Sequence, residues 1–97
     1  MIPEFHPAAE RELAAAVKVG EEIAAGLGAE LLAETGRVTS LLCDFPRLGT
    51  QLDHEYRRFP LTRFLYAIVF RINGDRLQVV AIAHRRQLPG YWQGRLW

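Results

Sequence analysis

The chain has 97 residues, 49% apolar and 24% charged, with a formal net charge of +1, an ordinary balance for a globular protein long enough for one hydrophobic core and read as a single domain over residues 1–97. No apolar run reaches the roughly 18 residues of a membrane span, the longest being Phe64 to Phe70, and the lone Cys43 excludes an internal disulfide or a cysteine-held zinc. Charge is segregated along the chain: residues 1–46 carry eight acids against three bases, whereas residues 47–97 carry nine arginines against Asp53, Glu55 and Asp75.

Met1-Ile2-Pro3-Glu4 lacks the basic and then apolar opening of a secretory signal, so a cytoplasmic protein with no membrane partner is expected. Ile2 to Phe5 reads as a short strand. Pro7 suits the first position of a helix, with Glu10 and Glu12 near the positive end of its dipole. Ala8 to Ala25 is rich in helix formers, and Leu13, Ala16, Val17, Ile23, Ala24 and Leu27 form a rough helical stripe. Gly26 and Gly28 mark a turn. A second stripe, Leu31, Thr35, Val38, Leu42 and Phe45, widened by Leu32 and Leu41, runs to Pro46. Gly20 and Gly36 lie at similar distances from that turn. They are read either as tolerated surface glycines or, preferentially, as facing each other where the two helices come close. Cys43, one position off the stripe, reads as an inert small hydrophobe.

After Pro46 the period changes. Arg47 to Glu55 reads as a loop, Tyr56 to Phe59 as a short strand, and Phe64 to Ile72 as a central strand whose Phe64, Tyr66 and Phe70 face the core. Asn73-Gly74-Asp75 is a hairpin turn, with Leu77 to Ala83 returning. The predicted class is α+β: an N-terminal strand and an antiparallel helical hairpin packed on one face of a small antiparallel sheet. Arg57 and Arg58 point to opposite sheet faces by alternation, so at most one joins an outer basic surface from the strand itself.

The last third concentrates chemistry. An apolar strand, Val79 to Ala83, runs into His84-Arg85-Arg86 and then Pro89-Gly90-Tyr91-Trp92. Two guanidiniums and two large rings at a strand exit suit a surface that grips an anionic or protein target. His84 is either a general base or a structural hydrogen-bonder. Trp92 and Trp97 either bind a partner or cover a sheet edge.

Phe5-His6-Pro7-Ala8-Ala9, Gly26-Leu27-Gly28, Phe45-Pro46 with Gly49, Arg57-Arg58 and Arg63-Phe64-Leu65-Tyr66 follow in an order and spacing similar to the RelE/ParE family of bacterial type II toxins. Ile82-Ala83-His84-Arg85-Arg86, with Pro89-Gly90-Tyr91-Trp92 and Arg95, resembles the closing motif of its ParE-like branch. Lys18-Val19-Gly20 stands where such relatives often carry an aromatic pair, and Gln87-Leu88 where a further base is common. The resemblance implies the fold just read and a growth-inhibiting toxin, of the kind linked to plasmid stabilization. It implies a cognate ParD-like or RelB-like antitoxin and a toxin–antitoxin hetero-oligomer.

ParE-like members bind DNA gyrase without hydrolysing anything, whereas RelE-like members cut messenger RNA on the ribosome. On the first implication Arg85, Arg86, Tyr91, Trp92 and Arg95 contact the target, while Arg57, Arg58 and Arg63 serve the antitoxin. The alternative ribonuclease reading places its site at Arg63, His84, Arg85 and Tyr91. RelE-like enzymes draw on lysines, arginines and a tyrosine. Lys18, the single lysine, lies in the helical half, and arginine is a poor proton shuttle. Gyrase binding is therefore the preferred expectation, an inactive antitoxin-binding module a further alternative, and no cofactor or metal is expected. Arg63, Arg85, Arg86 and Arg95 are expected to share one exposed basic region away from the helices.

Overall fold

A computed structural model describes residues 1–97. Strand β1 (Ile2–Phe5) leads into helix α1 (Pro7–Ile23), where Pro7 occupies the first turn and the His6 ring supplies the N-cap. His6 Nδ1 accepts the Ala8 N–H at 3.0 Å, satisfying a helix-start donor that would otherwise have no partner. Helix α2 (Leu27–Asp44) begins after Gly26, whose φ of 87° favours glycine. Its first turn is capped by Glu21 of α1, which accepts the N–H groups of Gly26 and Ala29 at 3.0 and 3.1 Å. These bonds hold the Glu21 carboxyl below its usual range.

The helices meet at glycine, though not at the expected pair. Gly20 packs against the backbone of Gly28, and a methyl group on Gly28 would run into the Val17 carbonyl and the Glu21 side chain. A methyl group on Gly36 would meet nothing within 4 Å, and Gly36 is exposed. The expectation that Gly20 meets Gly36 is therefore wrong: the close approach lies next to the turn, where the connection is shortest. The first stripe also ends there. Ala9, Ala16 and Gly20 are buried, but Ile23, the last helical residue and beyond that contact, is 72% exposed. In α2 the stripe Leu31, Thr35, Val38 and Leu42 is buried as read, joined by Thr39, while Leu32 and Phe45 face outward.

A 3-10 turn over Pro46–Leu48 precedes β2 (Thr50–Gln51), β3 (Tyr56–Pro60), β4 (Tyr66–Asn73) and β5 (Arg76–His84). The segment read as a loop thus contains an edge strand. Two residues are too few to show periodicity, and β2 exists because it pairs with Arg57 and Arg58 of β3. The sheet order is β1-β5-β4-β3-β2. β3, β4 and β5 are antiparallel as expected and β2 pairs antiparallel with β3, but β1 adds beside β5 in parallel, making the sheet mixed. The helical hairpin and three strands separate β1 from β5, so no tight turn forces them to run in opposite directions.

Two cores result. Ile68, Phe70, Leu77, Val79 and Ile82 face Leu31, Val38 and Leu42 of the hairpin, with Phe64 and Tyr66 partly buried at the margin. On the opposite face, Val69, Val80 and Ala81 lie beneath Trp92. The register jumps between Val69↔Ala81 and Phe70↔Val79, leaving Val80 as the extra residue of a bulge. Strict alternation from Val79 would send Ala81 to the hairpin and Ile82 away from it. The bulge reverses this, placing Ile82 in the main core.

Candidate functional site

The geometry of the site follows from a strand that ends early. β1 accompanies β5 only as far as Val79, whose carbonyl accepts the His6 N–H at 2.9 Å. The next outward-directed groups of β5 are met by side chains. The Val80 carbonyl accepts from Arg95 Nη1 at 2.8 Å, and the Ile82 N–H donates to Glu12 Oε1 at 3.1 Å. Glu12 and Arg95 form a bidentate pair at 2.8 Å on both arms, and the Tyr91 hydroxyl donates to Glu12 Oε2 at 2.6 Å. The two ionised side chains retain only 20% and 18% of their exposure.

Burial by itself would raise the Glu12 carboxyl. Hydrogen bonds from Arg95, Tyr91 and the Ile82 N–H, with the charge of Arg95, outweigh that and hold it below its usual range. Burial and then the Glu12 carboxylate push the Tyr91 hydroxyl well above the usual phenol range. A phenol in that state is poorly suited to proton transfer near neutrality.

The C-terminal segment after β5 is a series of tight turns joined by Gln87 N–H to His84 O, Tyr91 N–H to Leu88 O, Gln93 N–H to Gly90 O and Arg95 N–H to Trp92 O. It lays Trp92 across the outer sheet face, against the Tyr56 ring at 4.6 Å between centroids. Its end is held by the Leu96 carbonyl, 2.8 Å from His6 Nε2, and by Trp97, edge-on to the His6 ring. Trp92 thus covers the sheet over the face of β4 and β5 and not, as read, at an edge. His84 is engaged in its own turn: Nδ1 accepts the Arg86 N–H at 3.1 Å, and the ring stands edge-on to Tyr66.

Between this segment and β3 lies a cleft of about 420 Å³, lined among others by Arg58, His84, Arg85, Leu52, Leu88 and Asp53. Arg58 reaches it from the outer face, whereas Arg57 donates to the Gly49 carbonyl at 2.9 Å, so one of the two joins the surface, as alternation requires. Arg85 and Arg86 are exposed, with no carboxylate among the ion pairs of the structure. Arg63 is elsewhere, bonded to Glu30 of α2 at 2.9 Å.

The expected common basic region of Arg63, Arg85, Arg86 and Arg95 is therefore not formed. Arg63 is drawn to the acidic hairpin and Arg95 to Glu12, because each finds a carboxylate within reach; only Arg85 and Arg86 remain together. Of the four residues of the ribonuclease reading, His84, Arg85 and Tyr91 line the same cleft, whereas Arg63 lies outside its lining, paired with Glu30. Of the five proposed target contacts, Tyr91, Trp92 and Arg95 are engaged by the protein itself. Sequence reading missed Glu12, noted there only as an acid near the positive end of a helix dipole. The aliphatic walls of the cleft, Leu52 and Leu88, carried no signal beyond being apolar residues in turns.

This arrangement defines a class: an α+β protein with a helical hairpin on one sheet face and, on the other, a C-terminal strap beside a basic cleft. A solved structure described as "Chromosomal ParDE TA system from P. aeruginosa" shares the fold, with a TM-score of 0.75 over 87% of this chain and 95% of that chain at 16% identity. The family model for the ParE toxin of type II toxin-antitoxin system, parDE, matches residues 4–89, and the chain belongs to that family. No curated protein matches the sequence.

Proposed function

We propose that this ParE-family toxin inhibits DNA gyrase by binding it as a protein ligand, and that a cognate antitoxin neutralises it within a hetero-oligomer. The observation carrying the proposal is the exposed Arg85–Arg86 corner at the end of β5, free of internal carboxylates beside a cleft. Arginine makes planar, bidentate contacts with acidic protein surfaces. Nuclease chemistry, by contrast, needs groups converging on one phosphate. Here Arg63 is bound to Glu30 and Tyr91 to Glu12.

For the antitoxin, Arg58 in the cleft and Arg63 on the hairpin side are the available contacts. The Arg63–Glu30 pair is exposed on both partners, so exchanging Glu30 for an antitoxin carboxylate costs little. Arg57 contributes less, being held by Gly49.

The test is controlled expression in cells alongside a supercoiling assay with purified gyrase. Early arrest of DNA synthesis, induction of the DNA-damage response and loss of supercoiling are expected, all absent in an Arg85→Glu/Arg86→Glu variant. Early arrest of translation with discrete messenger cleavage would replace this reading with the ribonuclease one. Co-expression of the adjacent small open reading frame is expected to relieve toxicity and to yield a co-purifying complex.

A further inference from the structure

We infer that His84 and Gln87 are positioning residues that hold Arg85 and Arg86 in one fixed turn, so that the chain meets its target with both guanidiniums already placed. The inference rests on the gyrase-binding reading of that corner and names the neighbouring residues that make it effective.

The turn is closed more completely than an exposed loop requires. Arg85 and Arg86 are its two central residues, and the Gln87 N–H donates to the His84 carbonyl at 3.0 Å. The other three N–H groups are also taken. His84 donates to Gln87 Oε1 at 2.8 Å, Arg85 to the Leu65 carbonyl at 2.9 Å, and Arg86 to His84 Nδ1 at 3.1 Å. In the strap that follows, only Tyr91, Gln93 and Arg95 donate from the backbone. Arg85, Arg86 and Gln87 are exposed, so water would satisfy their N–H groups at little cost to the fold. What the bonds add is a single conformation of the segment that carries the two arginines.

Two of the four bonds come from side chains of particular chemistry. His84 Nδ1 takes the place of an asparagine Oδ1 in a turn whose first side chain accepts the N–H two residues on, and His6 does the same for Ala8 at the start of α1. The ring is held for this by Tyr66, its cross-strand partner on β4, against which it stands edge-on at 5.1 Å between centroids. Gln87 has to accept a bond. A lysine or arginine at that position has no acceptor and would leave the His84 N–H to water. A turn fixed before contact spares the ordering cost that a mobile pair of arginines would meet on binding.

The experiment separates the acceptor from the ring. His84→Asn keeps an acceptor at the δ position and removes the ring. His84→Phe keeps a ring against Tyr66 and removes the acceptor, and Gln87→Met does the same for the acceptor of Gln87. Each full-length variant is titrated against purified gyrase and assayed for inhibition of supercoiling, with Arg86 amide exchange and melting temperature measured alongside. His84→Asn is expected to bind within about twofold of the native chain, and His84→Phe and Gln87→Met about five- to tenfold more weakly, as one lost turn hydrogen bond implies. The Arg86 amide should exchange faster in His84→Phe and keep its native protection in His84→Asn. Stability should not track affinity: His84→Asn, which loses the Tyr66 contact, is expected to melt lower than His84→Phe yet bind more tightly.

Native affinity in either His84→Phe or Gln87→Met overturns the inference, as does an affinity in His84→Asn as low as in His84→Phe. If His84→Phe does not fold, Gln87→Met, altered on an exposed side chain, decides by itself. Inhibition that survives Arg85→Glu/Arg86→Glu removes the gyrase-contact reading and this inference with it. Inhibition lost in that variant but native in His84→Phe and Gln87→Met removes only the role of the turn.

Discussion

Glu12 concentrates more structural work than any other charged residue of the chain. It satisfies a β5 N–H on the sheet edge left open by β1, and receives a phenol and neutralises a guanidinium from the C-terminal segment that closes that edge. Replacing it with glutamine leaves Arg95 partly buried without its counter-charge, and the expected loss is about 2–4 kcal/mol in urea unfolding. The pH dependence has a definite sign. The folded carboxyl lies below its ordinary value of 4.5, so the unfolded chain binds the proton more readily as pH falls. The stabilisation is complete above that ordinary value and is lost as pH falls through the lower folded one. Stability measured between neutral and acidic pH should therefore drop in the native protein, with the Glu12 part of the drop missing in Glu12→Gln.

At the scale of elements, two glycines of α2 have opposite meanings. Gly28 lets the backbones of the hairpin touch, so Gly28→Ala must push α1 and α2 apart and is expected to cost about 1–3 kcal/mol. Gly36 is exposed inside the same helix with empty space where a methyl would go. Gly36→Ala should raise stability by up to about 1 kcal/mol, through the better helix propensity of alanine. Melting temperatures of the two variants moving in opposite directions would check both; a stabilised Gly28→Ala would show that the hairpin does not need its close approach.

For the whole molecule, the sheet is a wall between two unequal cores. The helical hairpin covers one side, and the other depends on Trp92 and the turns that carry it. Trp92→Ala is expected to cost about 3–5 kcal/mol, a large share of the stability of a protein this small, measurable by chemical unfolding followed by far-ultraviolet circular dichroism. Arg85→Glu/Arg86→Glu, by contrast, changes exposed side chains. It should leave stability within about 0.5 kcal/mol of the native protein while abolishing toxicity. Loss of both fold and toxicity in that variant would assign the arginines a structural role.

What the chain determined by itself was everything carried by local periodicity and punctuation. The entry at Pro7, the turn at Gly26, the stop at Pro46 and the hairpin at Gly74 lie where neighbouring residues demand them, and the antiparallel strands follow from the short turns between them. Alternation also placed Phe70 in the core and sent just one of Arg57 and Arg58 to the outer face. Tertiary structure decided the parallel placement of β1, the bulge that turns Ile82 inward and the meeting of Gly20 with Gly28. It also decided which arginines stay available. Arg63, Arg85, Arg86 and Arg95 are chemically identical in the sequence, yet Arg95 is neutralised by a glutamate 83 positions away and Arg63 by one on α2. A guanidinium's role depends on the nearest carboxylate in space, and only the folded chain determines that distance.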